Sequence, residues 1–425
     1  MHVLIPRVLV VWLAMKRLLA CSKYERLYNC IGFSGEEARD TLADVNRHVV
    51  SHSSNCNSHC ISVDDTTAAI RRMKKNKHDG SRGLYSDHQK NGPRNLHIHL
   101  GKLFNAILIQ GYSHSGFCTS ILLPIPKSSR KSKNDPDNDR SIALSSIVNK
   151  VMDTVIIRKC KADILTSDYQ FGFKEGHSTT QCSFVVDEVT QYYVNRETTV
   201  YAALLDASKA FDCVSYSKLF RLVLDRGLCP LVVRFLLSTY MSQKACVKWG
   251  SSSSDHLHIS NGVKQGGVLS PIMFTMYYDV LLSDLQQRGF GCRIGSLFAG
   301  AFAYADDDLL LAPSVSALKN MLQICSQYAH QYEMIFNASK SRIIVTPCSR
   351  PRNPVVILFD GEVVLQAESE KHLGIWYGDN SHVDNVNQLC SEMITKTNML
   401  KCHFNQLPII PLYSLRSVCP PTALR

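Results

Sequence analysis

No run in this chain is long and apolar enough to cross a bilayer, which takes about 20 residues. The nearest candidate, Val8 to Met15, covers eight residues and is followed by Lys16 and Arg17. Positive charge on that side is wrong for a signal peptide, so a buried helix is the favoured reading. The chain also lacks Cys-x-x-Cys pairs, and its 16 cysteines are scattered. A zinc ribbon and a disulfide framework are therefore disfavoured, and the cysteines read as reduced thiols of an intracellular protein. The nearest approach to a metal cluster is His52, Cys56, His59 and Cys60. It lies in a Ser/Asn-rich stretch without zinc-finger spacing and reads as a polar loop. No internal repeat is present, which removes solenoids and propellers.

With 45% hydrophobic and 20% charged residues in 425, the chain reads as globular. The length suits one large domain or two to three smaller ones. A net charge of +11 fits a polyanionic partner such as nucleic acid, and equally a merely basic protein. Residues 1–61 read as an extension and linker. Helical spacing is expected over Thr66–Lys75, Leu96–Ile109, Ile142–Lys159, Tyr216–Asp225, Leu231–Met241 and Val386–His403. Pro271 suits an early position in a helix running to about Gln287, and Ser314 suits a helix N-cap. Strands are expected at Ser120–Ile125, Thr199–Leu205, Leu297–Tyr304 and Leu309–Leu311. A hydrophilic loop is expected over Lys127–Arg140 and a hairpin turn over Gly250–Ser254. Interleaved sheet and helix make this an α+β chain with a partly antiparallel sheet.

The chemistry concentrates in Tyr304-Ala-Asp306-Asp307-Asp308, where three consecutive carboxylates lie between two apolar runs. Adjacent buried like charges are costly unless a cation compensates them. A strand, a tight acidic turn and a return strand would let the acids hold a divalent metal. Asp206 ends the apolar run Tyr201–Leu205 and is the candidate second acid. Three such carboxylates can hold two Mg²⁺ ions about 3.5–4 Å apart, the arrangement of in-line phosphoryl transfer. Taken alone, Asp206 reads as a strand-end or helix-capping residue. Gly262-Val-Lys-Gln265-Gly266-Gly267-Val-Leu-Ser270-Pro271 adds a loop whose glycines permit close backbone approach.

These segments occur in the order and spacing of reverse transcriptases, and the chain resembles those of LINE-type (non-LTR) retrotransposons. Leu122–Lys127 and Asn138–Leu144 resemble that family's fingers motif, and Gln170–Thr179 the next motif. Asn337–Ser341 and His372-Leu373-Gly374 resemble the last two palm motifs. The resemblance runs from about residue 62 to the C-terminus and implies a right-hand polymerase fold. Residues 62–378 would form fingers and palm (core about 107–378), and 379–425 a partial, truncated thumb. It implies RNA-directed DNA polymerisation, with an RNA template, a DNA primer and dNTPs as partners and no membrane. The cofactor would be two Mg²⁺, with Mn²⁺ as the substitute, and the setting nucleus or cytoplasm.

By the same resemblance, Asp206, Asp306 and Asp307 match metal-binding catalytic acids. Phe211 matches an aromatic gate against a ribose 2′-OH, and Gln265 a contact near the incoming base and sugar. Arg140 matches a triphosphate-binding Arg, with Lys127 in the same region. Lys340 matches a Lys that protonates the leaving pyrophosphate, and Leu373 and Gly374 a primer-grip hairpin. Asp212 is expected to hold a turn or cap a helix, and Tyr304 to shape the hairpin. Asp308 stands where the family usually has an apolar residue, and Ser141 where it has Pro. Asp308 is expected either to face solvent or to weaken the hairpin. These departures, and the absence of an endonuclease-like segment, leave a decayed or domesticated nucleic-acid-binding remnant as the alternative. A viral RNA-dependent RNA polymerase and a group II intron maturase are the rivals within the same chemistry.

Overall fold

The computed structural model describes residues 20–31, 34–51, 60–79, 83–127, 138–250, 252–347, 355–378 and 381–404. The helix expected near Val8–Met15, the cluster at His52, Cys56 and His59, and residues 128–137 of the expected loop Lys127–Arg140 lie outside them.

Two sheets organise the chain. The larger has six strands in the order Ile357–Phe359, Glu362–Gln366, Arg342–Thr346, Val200–Asp206, Asp307–Ala312 and Ala301–Tyr304. Its pairings are antiparallel except the one joining Arg342–Thr346 to Glu362–Gln366. At its centre, Val200 and Ala202 to Leu205 are all buried, which is why this strand reads as a continuous apolar run instead of an alternating one. Helices Thr179–Val194, Ser270–Arg288 and Val315–Tyr332 pack on its strands. The smaller sheet pairs Asp139–Leu144 with Thr119–Pro126, and the latter runs parallel to Lys244–Trp249. Short strands Ser252–Ser253 and Leu257–His258 complete it. Architecture is therefore mixed α and β, with a partly antiparallel sheet.

Local chemistry sets the boundaries. Ser314 Oγ accepts from Ala317 N at 3.1 Å and starts Val315–Tyr332. Pro271 occupies the first turn of Ser270–Arg288. Two expectations need correction. Ile142–Leu144 is strand, because its backbone pairs with Ile121–Leu123, and the helix starts only at Ile147 behind the Ser146 cap. The run Leu297–Tyr304 breaks at Gly300, which packs backbone to backbone against Gly291.

The N-terminal region is built into the molecule over its described part. Val45, on helix Gly35–Ser51, joins the main core, and that helix packs on Tyr216–Asp225 and Pro230–Met241. Tyr24 and Tyr28 join Leu122, Ala143 and Val247 in a second core beneath the smaller sheet.

Candidate active site

The site grows from one hairpin. Tyr304 pairs with Asp307 at the end of two antiparallel strands, leaving Ala305-Asp306 as a two-residue loop. Strand Asp307–Ala312 also pairs with Val200–Asp206, in a register that sets Asp307 opposite Asp206. Asp206, Asp306 and Asp307 thus meet at one end of the large sheet. Successive strand side chains point to opposite faces, so Asp307 is exposed while Asp308 is buried.

Electrostatics register the crowding. Burial lifts the Asp306 carboxyl above its ordinary value, and the charge of Asp206 adds to the lift. Burial, then Asp306 and Asp206, push Asp307 up to about 6. The charge of the Arg140 guanidinium opposes both shifts. Carboxylates in mutual repulsion are what a hard divalent cation would relieve, and their oxygens are the donors it prefers. Among the described residues no three His, Cys, Asp or Glu side chains already converge as ligands. Lys340 Nζ donates to Asp206 Oδ2 at 3.3 Å instead. The donor chemistry fits a divalent metal, while the side chains are not drawn together around a point.

A second segment clamps the acidic turn. Ala305 has φ 63, a region that costs a non-glycine residue ~1 kcal/mol or more. Gln170, fully buried, holds it there: its Oε1 accepts from Ala305 N at 2.9 Å and from Gly172 N at 2.8 Å. Its Nε2 donates to Ala305 O at 3.3 Å. Phe171 N donates to Ala303 O at 2.8 Å, and Ala303 N to Tyr169 O at 2.9 Å. A Cβ on Gly172 would lie 2.3 Å from Ala305 N, so only glycine admits this approach. The positioning role of Gln170 was not visible in the sequence, because its partner lies 135 residues away.

Phe211, Asp212 and Gln265 form the adjoining wall. The Phe211 ring stacks on Phe274 at 4.3 Å and meets Phe173 edge-on at 6.0 Å. Asp212 lies in the 3-10 turn Ala210–Cys213, as a turn residue, but its carboxylate also accepts from Gln265 Nε2, at 3.2 and 3.1 Å. The Gln265 amide is therefore committed to Asp212. Gln265 O accepts from Ala143 N at 2.7 Å, tying this loop to the strand of Arg140. Lys127 contributes positive charge toward Asp212. Leu373 (φ 50) and Gly374 (φ 86) form the turn of the hairpin Ser369–His372/Ile375–Gly378. That hairpin contacts strand Arg342–Thr346, next to Val200–Asp206.

Asp308 departs from the first of its two expectations. At 2% exposure it does not face solvent. Tyr278, on helix Ser270–Arg288, donates its hydroxyl to Asp308 Oδ2, while Oδ1 is buried without a hydrogen-bond partner. Burial raises its carboxyl well above the ordinary range, and the side chain bridges hairpin and helix.

Two stability predictions follow from these contacts. Tyr278→Phe strips a buried acid of its donor and costs about 1–3 kcal/mol. Adding Asp308→Leu recovers that loss, since both partners are then apolar; urea unfolding of the four proteins reads the coupling. Gln170→Leu orphans two N–H groups, at about 1–3 kcal/mol each, and the same unfolding assay reads the loss.

Residues 125–377 match the reverse transcriptase (RNA-dependent DNA polymerase) family. Among curated relatives, the chain is 27% identical over 205 residues to the Pol polyprotein of the type-2 retrotransposable element R2DM of Drosophila melanogaster, covering 48% of this chain and 19% of the relative. It is 32% identical over 186 residues to the Pol polyprotein of a type-1 element R2 of Popillia japonica, covering 41% and 30%. It is 24% identical over 370 residues to the RNA-directed DNA polymerase of the mobile element jockey of Drosophila funebris, covering 82% and 39%. The chain thus spans between about a fifth and two fifths of these relatives' length. By its matched domain and these relatives, the chain belongs to the reverse transcriptase family, in its LINE-type (non-LTR retrotransposon) branch.

Proposed function

We propose that this chain is an RNA-directed DNA polymerase that extends a DNA primer on an RNA template with dNTPs. The observation that carries the reading is the register of Asp307 opposite Asp206, with Asp306 in the intervening loop. Two divalent ions, Mg²⁺ or Mn²⁺, held by these three acids would activate the primer hydroxyl and neutralise the leaving pyrophosphate. The rest is the work of the chain's own groups. Arg140, whose charge already reaches Asp306 and Asp307, presents a planar fork suited to triphosphate oxygens. Lys340, 3.3 Å from Asp206, is placed to give a proton to pyrophosphate. Phe211 is backed by Phe274, which stops the ring from retreating before a ribose 2′-OH. Gln265 supports this wall through Asp212, and Lys127 adds charge beside it.

On this reading the fold is the polymerase right hand. The smaller sheet belongs to the fingers, the larger to the palm, and helix Ser381–Phe404 to the thumb. Residues 62–378 are fingers and palm, 379–425 the thumb, and Leu373 and Gly374 the primer grip. Residues 1–61 are the extension, of which helix Gly35–Ser51 packs against the body. Partners are nucleic acid and nucleotides, in nucleus or cytoplasm. Among the described residues no helix is long and apolar enough to cross a membrane. The remnant alternative leaned on Asp308, whose buried bond to Tyr278 removes it from the charged cluster.

Primer extension on an RNA template with Mg²⁺ tests the assignment. Asp306→Ala should lower the rate by about 10³-fold, the scale of a lost electrostatic stabiliser of the transition state. Incorporation equal to wild type would sink it. Phe211→Ala should raise ribonucleotide relative to deoxyribonucleotide incorporation by about 10–100-fold. An unchanged ratio in competition assays would remove Phe211 as the gate.

A further inference from the structure

The turn that carries Phe211 and Asp212 ends at Cys213, buried at 4% exposure. Against it lies Cys30, an exposed cysteine of the N-terminal segment. Each thiol is the largest influence on the other's protonation, and one amide, that of Asn261, touches both the Cys30 sulfur and the backbone just before Cys213. Asn261 braces the pair: its Nδ2 lies 3.6 Å from Cys30 Sγ, 2.7 Å from Asp212 O and 3.0 Å from Leu27 O. Backbone bonds hold all three segments together. Ser260 N and Asn261 N donate to Tyr28 O at 2.9 and 3.2 Å, and Gly262 N donates to Val214 O at 2.8 Å. A Cβ on Gly262 would lie 2.7 Å from Asp212 O, so the approach is close. Fixed backbone on both sides thus holds the segments of Cys30 and Cys213 against one another.

We propose that Cys30 and Cys213 are a thiol–disulfide modification site, in which a peroxide oxidises Cys30 and Cys213 resolves it. The division of labour follows from the surroundings. The Cys213 thiol, the Asn261 amide and the N–H groups of Cys30 and Ile31 hold the Cys30 thiol below its ordinary range, against the effect of burial. The same contact, with burial, keeps Cys213 protonated. Exposed thiolates attack peroxide, while buried thiols do not meet it. The Cys30 thiolate takes one oxygen from hydrogen peroxide, giving sulfenic acid and hydroxide. The Cys213 thiol then attacks that sulfur, the S–S bond forms, and the sulfenic oxygen leaves as water. Net, two thiols and one peroxide give a disulfide and two waters. The bond would pin segment 28–31 to the turn of Phe211 and Asp212, and this site stands independently of the polymerase reading.

The test treats the full reduced chain with equimolar hydrogen peroxide, blocks remaining thiols with iodoacetamide, and maps peptides by mass spectrometry. The expected product links the Cys30 and Cys213 peptides, lighter by two hydrogens than their sum, and dithiothreitol reverses it. Cys30→Ser should reduce the linked species to background; this exposed position keeps the test readable should Cys213→Ser fail to fold. Cys390, exposed on helix Ser381–Phe404, serves as a surface thiol for comparison. Conversion of Cys30 to sulfinic acid without a link would overturn the proposal. So would preferential linkage of another cysteine pair, or Cys30 reacting no faster than Cys390.

Discussion

The cost of holding three carboxylates together shapes the centre of this molecule. Nothing about Asp206, Asp306 and Asp307 favours their proximity; burial and mutual repulsion both lift the carboxyls of Asp306 and Asp307. What imposes it is sheet register. A slip of one residue between Asp307–Ala312 and Val200–Asp206 would exchange the faces of Asp307 and Asp308. The register is held by pairing on both sides, Asp307 with Tyr304 and with Asp206, and by the bond from Tyr278 to Asp308, which a slip would break. The turn is then fixed from outside the hairpin by Gln170, which bonds both the N–H and the carbonyl of the strained Ala305. Strand pairing thus sets the register, and one amide sets the geometry.

A second polar assembly joins the two sheets. Asp212 is lifted to about 6 by burial, and bonds from Gln265 and Tyr28 offset part of that lift. The Tyr28 hydroxyl also bonds Ser141, on the strand that presents Arg140. The Ser141 departure therefore has a physical account: its hydroxyl gives Tyr28 a buried partner that proline could not provide. Through Tyr28, the N-terminal segment touches the Gln265 loop, the Phe211 turn and the Arg140 strand together. Buried networks of this kind hold their geometry only while each member stays satisfied.

Much of this was legible in the sequence wherever the signal was local. Pro271 and Ser314 mark helix starts that the structure has, and the acidic turn lies between two strands as its flanks implied. What escaped was of two kinds. Some local signals went unread: Ser178 and Gln181 form a reciprocal capping box that announces helix Thr179–Val194. The apolar run from Ile142 fits either period, as short apolar runs do, and pairing with Ile121–Leu123 decides for strand. Other features could not be read at all. The bonds from Gln170 to Ala305 and from Gln265 to Asp212 span 135 and 53 residues, and residue type alone does not announce such partners.

Asp308 makes the same point about charge. In the sequence it looks like a third member of an acidic cluster and a threat to it. Strand alternation sends it to the other face, beneath helix Ser270–Arg288. There, burial raises its carboxyl well above the ordinary range, and its place in the core keeps it away from the open side where Asp206, Asp306 and Asp307 meet. Its burden is a core burden: one carboxyl oxygen is bonded by Tyr278 and the other is left without a partner. Such a group taxes the stability of the strand. The charge of the open face depends instead on Asp206 and Asp307, which sit opposite each other across the two strands.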